Sequence, residues 1–217
     1  MRISASRDGA LIVSNLIAAV ESAAKMLSDV DGEIGDGDHG INMKKGFATS
    51  AERLAGTPYD LAQGLSTLGT TLLGEIGGSM GPLYGTFFRE MAKAAKAQES
   101  IGIEVFEDML KKASDGVVRV GNGKRGDKTM LDCLLPAVDA FQAARNRGAD
   151  FSTALTEMAE AAEKGKESTR DMIARVGRAS RLGERSRGTL DPGACSCSVI
   201  LRSLADSMTG ILGSHRG

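Results

Sequence analysis

Three aspartates, Asp31, Asp36 and Asp38, crowd one short stretch, DVDGEIGDGDHG (residues 29–40), with His39 beside them and four glycines threaded between. Two ionised carboxylates about 5 Å apart repel by roughly 3 kcal/mol at an effective dielectric of ~20. Folding three of them into one loop therefore calls for a cation. The alternative is an extended loop whose carboxylates point apart into water, one of them capping the helix that begins near Ile41. Gly35, Gly37 and Gly40 permit the tighter fold. An all-oxygen ligand set suits a hard cation, Mg²⁺ or Ca²⁺. An EF-hand register fails, because with Asp36 at the first position Ile41 stands where that loop requires glycine. A Mg²⁺ site with coordination positions left for phosphate oxygens fits better. His39, the only histidine besides His215, reads as a phosphate or hydrogen-bond partner and a candidate proton carrier. Asn42, one turn into the next helix, can face the same site.

Two cationic stretches complement the acidic loop. GNGKRGDKT (121–129) comes close to a Walker A loop, but Asp127 intrudes between Gly126 and Lys128 and no parallel sheet precedes it, which excludes a P-loop fold. In TRDMIARVGRASRLGERSRG (169–188), six arginines face two acidic residues, an excess of four positive charges. Arginine makes forked hydrogen bonds to phosphate, and the Asp191-Pro192-Gly193 turn follows directly. Cys195-Ser196-Cys197 lacks a second cysteine pair or a nearby histidine, so Cys133, Cys195 and Cys197 read as buried, reduced thiols.

The elements that must position these residues are helical. Apolar periodicity predicts about eight helices, near 8–30, 41–54, 60–76, 82–97, 103–119, 128–147, 151–176 and 193–212. Asp60, with Pro58 before it, caps the third. Pro82 fits the first turn of the fourth, Asp150 or Ser152 caps the seventh, and Gly148 and Gly177 mark helix ends. VVRV (117–120) is the best strand-like run, and it is short and solitary. The fold class is all-α, with antiparallel helices joined by short loops in a single domain spanning 1–217. Glycines gather in stretches 32–40, 74–85, 121–126, 177–188 and 188–193, more than turns alone require, and together suggest a phosphate-binding rim.

Composition narrows the function classes. Of 217 residues, 41% are hydrophobic and 25% charged, as in an ordinary globular protein. A net charge of −1 and the absence of tryptophan argue against nucleic acid as a partner. LIVSNLIAAV (11–20) follows Arg2 and Arg7 as a signal peptide would, but Asp8, Asn15, Glu21 and Lys25 continue a helical pattern, which predicts an amphipathic core helix and no membrane span.

Four segments, EIGDGDHGINMKKGF (33–47), GGSMGPLYGTFF (77–88), GDKTMLD (126–132) and GRASRLGERSRGTLDPGA (177–194), resemble the L-subunit family of dihydroxyacetone kinases, in the family's order and over nearly the whole chain. The resemblance implies an eight-helix antiparallel barrel with ADP or ATP in the loops at one end. It implies two Mg²⁺ ions held by Asp31, Asp36 and Asp38. It places His39, Gly40, Ile41, Asn42, Gly78, Ser79, Met80, Gly121, Met130, Arg178, Asp191, Pro192 and Gly193 at the nucleotide, with Arg178 and the three aspartates serving phosphoryl transfer. The acceptor would be a short ketose bound covalently to a histidine of a separate K-type subunit. This chain has no room for that domain, so it is expected to be one part of a cytoplasmic kinase and a homodimer. The donor is ATP, exchanged each turnover, or a phosphorylated M-type carrier that recharges a resident ADP. The family usually reads Gly-Gly-Ala-Ser-Gly where this chain has Gly77-Gly78-Ser79-Met80-Gly81, and Arg181 stands at a position that is often aromatic. A nucleotide-sensing module that contacts a transcription regulator is the alternative reading of the same loops.

Overall fold

The fold is a computed structural model that describes residues 1–214; His215 lies outside them. Its helices follow the apolar spacing. In α5 (Ile103–Gly121), Phe106, Met109, Leu110, Ala113 and Val117 recur every three or four residues and all are buried, which puts one stripe against the core. The strand-like VVRV run is the end of this helix, with Val117 inward and Val118 and Val120 outward. The others are α1 (Ala5–Ile34), α2 (His39–Leu54), α3 (Leu61–Glu75), α4 (Met80–Ala95), α6 (Leu131–Asn146), α7 (Phe151–Ser168) and α8 (Pro192–Ser214). Among the described residues the only strands are β1 (Ile3–Ser4) and β2 (Ser100–Ile101), two residues each and paired antiparallel. The protein is all-α.

Each helix packs on its neighbours in sequence, and α8 returns to pack on α1, so the helices close into a ring. The connections, short except for the 169–191 segment between α7 and α8, reverse the chain each time, which makes consecutive helices antiparallel. One hydrophobic core runs through the ring. Phe106, Phe141 and Phe151 pack edge-on at one end, and Phe47, Phe87 and Phe88 fill the middle. Pro136 lies inside α6 and cannot donate to the Asp132 carbonyl four residues earlier. The α7 helix passes directly over that carbonyl, and only glycine fits there, since a Cβ on Gly165 would lie 2.3 Å from Asp132 O.

The helix-start signals hold at the end where the odd-numbered helices begin. Asp60 forms a full capping box with Gln63 on α3, Asp150 accepts the Thr153 N–H of α7, and Ser4 caps α1. Gly148, at φ +82°, follows the end of α6, and Pro82 lies in the first turn of α4.

One expectation needs correction. The seventh helix stops at Ser168, not near 176, and Gly177 ends no α-helix. The segment beyond it has no apolar stripe to bury. It runs instead through two 3-10 turns, Thr169–Asp171 and Arg178–Ser186, anchored by side chains. The α1 helix has the length and mean hydropathy, 1.5 over its most apolar window, that a membrane span would need. In the fold Ile12, Leu16, Val20 and Leu27 are wholly buried in the protein core.

Candidate functional site

Alternation of direction brings four connections to one end of the ring: α1–α2, α3–α4, α5–α6 and α7–α8. There they enclose a cavity of about 690 Å³. The first turns of α2, α4, α6 and α8 all open onto it. Their positive dipole ends thus converge on one space, as anion binding requires. The N-cap residues Asp38, Ser79 and Met130 make no side-chain capping bond to their own helices, in contrast to Ser4, Asp60 and Asp150 at the far end.

The acidic loop faces these helix starts. Asp31, Asp36 and Asp38 each offer a carboxylate oxygen, and the three atoms lie within 4.8 Å of one another. Such a spacing brings at least two unit charges to a repulsion of about 3 kcal/mol, and it fits hard-cation binding by oxygen ligands. Asp31 comes from the last turn of α1, and Gly35 leaves room for its carboxylate, since a Cβ there would sit 2.4 Å from Asp31 Oδ1. Its Oδ2 also accepts the His39 N–H at 3.2 Å. The carboxylate that caps α2 is therefore Asp31 from a neighbouring helix, not a residue of the adjacent turn. Arg178 reaches across from the arginine segment to pair with Asp36.

His39 is buried, and Nε2 is hydrogen-bonded to Ser196 Oγ at 2.8 Å. Burial lowers its pKa to about 4, partly offset by Asp31, so the ring is neutral at pH 7. Tied through Ser196 to the neighbouring helices, His39 acts as a hydrogen-bonding strut. Ser196 is also hydrogen-bonded to Tyr84 Oη at 2.5 Å, and Tyr84 donates to Gly193 O at 3.1 Å. This chain ties the first turns of α2, α4 and α8 together.

Asp191 caps α8 by accepting the Ala194 N–H at 2.7 Å. Removal of its carboxyl from water raises its pKa to about 7; Ala194 pulls the other way, and Asp132 and Asp31 add to the rise. Asp132 organises the α5–α6 connection, accepting N–H groups from Gly126 at 2.5 Å and Thr129 at 2.9 Å. Lys128 lines the cavity, but its ammonium is turned onto backbone carbonyls.

Of the residues singled out in the sequence, Asp31, Asp36, Asp38, His39, Asn42, Gly78, Ser79, Met80, Gly121, Met130, Arg178, Asp191, Pro192 and Gly193 line the cavity. Gly40 does not. It is pressed against α1, where a Cβ would lie 1.8 Å from Ala24 O. Ile41 points outward, 66% exposed, beside the rim. Met80 packs its side chain on the core, leaving Ser79 as the hydroxyl of that turn. Arg181 is exposed and away from the cavity wall. The cysteines are buried and free. Sequence reasoning missed Tyr84, Ser196 and Asp132. Tyr84 carried a usable signal, as one of two tyrosines in the chain and embedded in a glycine-rich helix start.

Fold and site together define an all-helical ring with an anion- and cation-binding cavity at one end. The chain belongs to the DAK2 domain family, whose pattern matches residues 33–206. It is 41% identical over 183 residues to the "PEP-dependent dihydroxyacetone kinase, ADP-binding subunit DhaL" of Escherichia coli (strain K12), covering 84% of this chain and 87% of that protein. It is 34% identical to the corresponding ADP-binding subunit of a second dihydroxyacetone kinase, from Listeria innocua, over 91% of this chain and 92% of that one. The ring superposes on the crystal structure of the dihydroxyacetone kinase from C. freundii in complex with AMP-PNP and Mg²⁺ with a TM-score of 0.67 and 25% identity, covering 92% of this chain and 33% of that larger one. These relatives are kinase subunits or whole kinases, and the family's chemistry is phosphotransfer.

Proposed function

We propose that this chain is the nucleotide-binding subunit of a short-ketose kinase. The observation that carries the reading is the meeting, in one cavity, of four helix N-termini with three clustered carboxylates. Helix N-termini take the phosphates and the carboxylates take the metal that phosphates bring with them. Asp31, Asp36 and Asp38 would hold two Mg²⁺ ions, which when bound neutralise phosphate charge. The chain's own groups do the rest. Backbone N–H groups of the Gly78–Gly81 turn and of the α8 start orient the nucleotide phosphates. Arg178 adds a guanidinium at the edge of the acidic loop. Leu83, Val117 and Leu131 offer an apolar wall to the base. No side chain of this site need become phosphorylated, because phosphoryl transfer depends on charge neutralisation and in-line positioning.

The acceptor is a ketose such as dihydroxyacetone, held covalently on a separate K-type subunit. The end-to-end relatives are named PEP-dependent and ADP-binding. By contrast, the human triokinase/FMN cyclase is covered over only 35% of its length. This favours a resident ADP recharged by an M-type phosphocarrier over ATP exchanged each turnover. Mixing the chain with a K-type subunit, a panel of ketoses, and either ATP or a phosphorylated carrier tests the assignment. Phosphorylated ketose is expected with the carrier as donor. No product with either donor would overturn the kinase reading.

A further inference from the structure

We propose that Lys128 is a positioning residue that pins both ends of the arginine segment and so places Arg178 against the acidic loop. The inference rests on the anion-site reading above and adds a residue whose action is indirect. Lys128 is only 2% exposed, and among the described residues it forms no ion pair. A buried ammonium needs compensation for all three of its N–H donors. It finds this in backbone carbonyls: Nζ donates to Ser186 O at 2.5 Å, Thr189 O at 2.6 Å and Met172 O at 3.4 Å. Met172 lies at the start of the segment between α7 and α8, and Ser186 and Thr189 lie near its end. One side chain therefore closes the segment on itself.

The pin is itself held rigidly. Lys128 has φ +60°, a left-handed backbone that a lysine adopts only when its surroundings dictate it. Asp132 grips the N–H groups of Gly126 and Thr129 on either side. A second tie joins the same loop to the segment, since Arg175 N donates to Asp127 O at 3.0 Å. Between the tied ends, Arg178 projects to Asp36. The residue inserted before Lys128, which spoils the likeness to a Walker A loop, accompanies a different use of the lysine: its donors are spent on protein carbonyls and none remains for phosphate.

The test uses the full chain as wild type, Lys128→Met, Arg178→Ala and the double variant. Far-UV circular dichroism checks the fold, trypsin cleavage within residues 175–187 reports docking of the segment, and calorimetry gives the dissociation constant for Mg-ADP. In K128M, helical ellipticity is retained, cleavage accelerates, and the dissociation constant rises about ten-fold, as loss of charge-assisted hydrogen bonds that order a site would produce. Adding R178A to K128M then weakens binding by no more than roughly two-fold, because the arginine is already misplaced. Effects of the two substitutions that multiply would overturn the proposal, since a lysine acting only on general stability is independent of Arg178. Should K128M lose its helical signal, Lys128→Gln, which keeps an amide donor, is read by the same criteria. The protease arm needs no nucleotide, so unchanged cleavage overturns the pin by itself, whereas wild-type protein that takes up no Mg-ADP defeats the functional reading instead.

Discussion

Asp31 faces the cavity from the last turn of α1 while its Oδ2 accepts the first N–H of α2, so one carboxylate both shapes the loop and offers a ligand atom. Asp36 differs: it is exposed and its carboxylate pairs with Arg178. Exposed ion pairs contribute about 0–1 kcal/mol. Asp36→Asn should therefore shift the melting temperature of the ligand-free protein by no more than about 2–4 °C, yet reduce Mg-ADP affinity on the order of a hundred-fold, a difference of about 2.7 kcal/mol. Differential scanning fluorimetry and calorimetry on the same preparation separate the two effects. Asp191 makes a prediction in pH. Its carboxyl is raised from 3.8 to about 7 in the fold, so the folded state holds a proton that the unfolded state releases. The stability this contributes is complete below pH ~4 and is lost as pH rises towards ~7. Asp191→Asn keeps an acceptor for the Ala194 N–H and cannot ionise, so the melting temperature of the ligand-free variant should vary less between pH 5 and 7 than that of the wild type. An unchanged slope would show that the Asp191 carboxylate is ionised throughout.

At the scale of elements, the two ends of the ring have divided their tasks. At the far end Ser4, Asp60 and Asp150 cap α1, α3 and α7 from their own N-cap positions; at the cavity end Asp38, Ser79 and Met130 do not, and the starts of α2, α4 and α6 face the cavity. Asp60→Ala should cost about 1 kcal/mol, seen as a fall of about 2–4 °C in melting temperature, with Mg-ADP affinity unchanged. Gly165→Ala should cost more, about 1–3 kcal/mol, because the added methyl meets the Asp132 carbonyl at 2.3 Å and pushes α7 off α6. Chemical denaturation measures both. The helices were legible because their apolar stripes are local: Phe106 to Val117 declares itself without reference to any other segment. Asp60 and Asp150 were legible for the same reason, since a cap acts within its own turn. The end of α7 was not. What stops it is Thr169 Oγ1 accepting the Asp191 N–H and Lys128 collecting the carbonyls of Met172, Ser186 and Thr189, contacts between residues far apart in sequence. The same holds for the strut of His39, Ser196 and Tyr84. In the sequence His39 is an isolated histidine beside aspartates, and only the packing of α2 against α4 and α8 makes it a neutral, buried one. The acidic loop stood out by composition, and the cavity adds what composition lacked: the nearness of four helix starts.

For the whole molecule, closure of the ring by α8 on α1 is what gathers residues 31–42, 77–84, 117–131 and 176–193 around one space. The central claim is that this space takes a nucleotide diphosphate together with a divalent cation, each needing the other. Titration calorimetry of the full chain with ADP, once with millimolar MgCl₂ and once with EDTA, tests it most directly. Saturable uptake of one ADP per chain with Mg²⁺ and at least ten-fold weaker uptake in EDTA is expected, a linkage of about 1.4 kcal/mol or more. Uptake that is absent in both conditions, or equally tight with and without Mg²⁺, would contradict it.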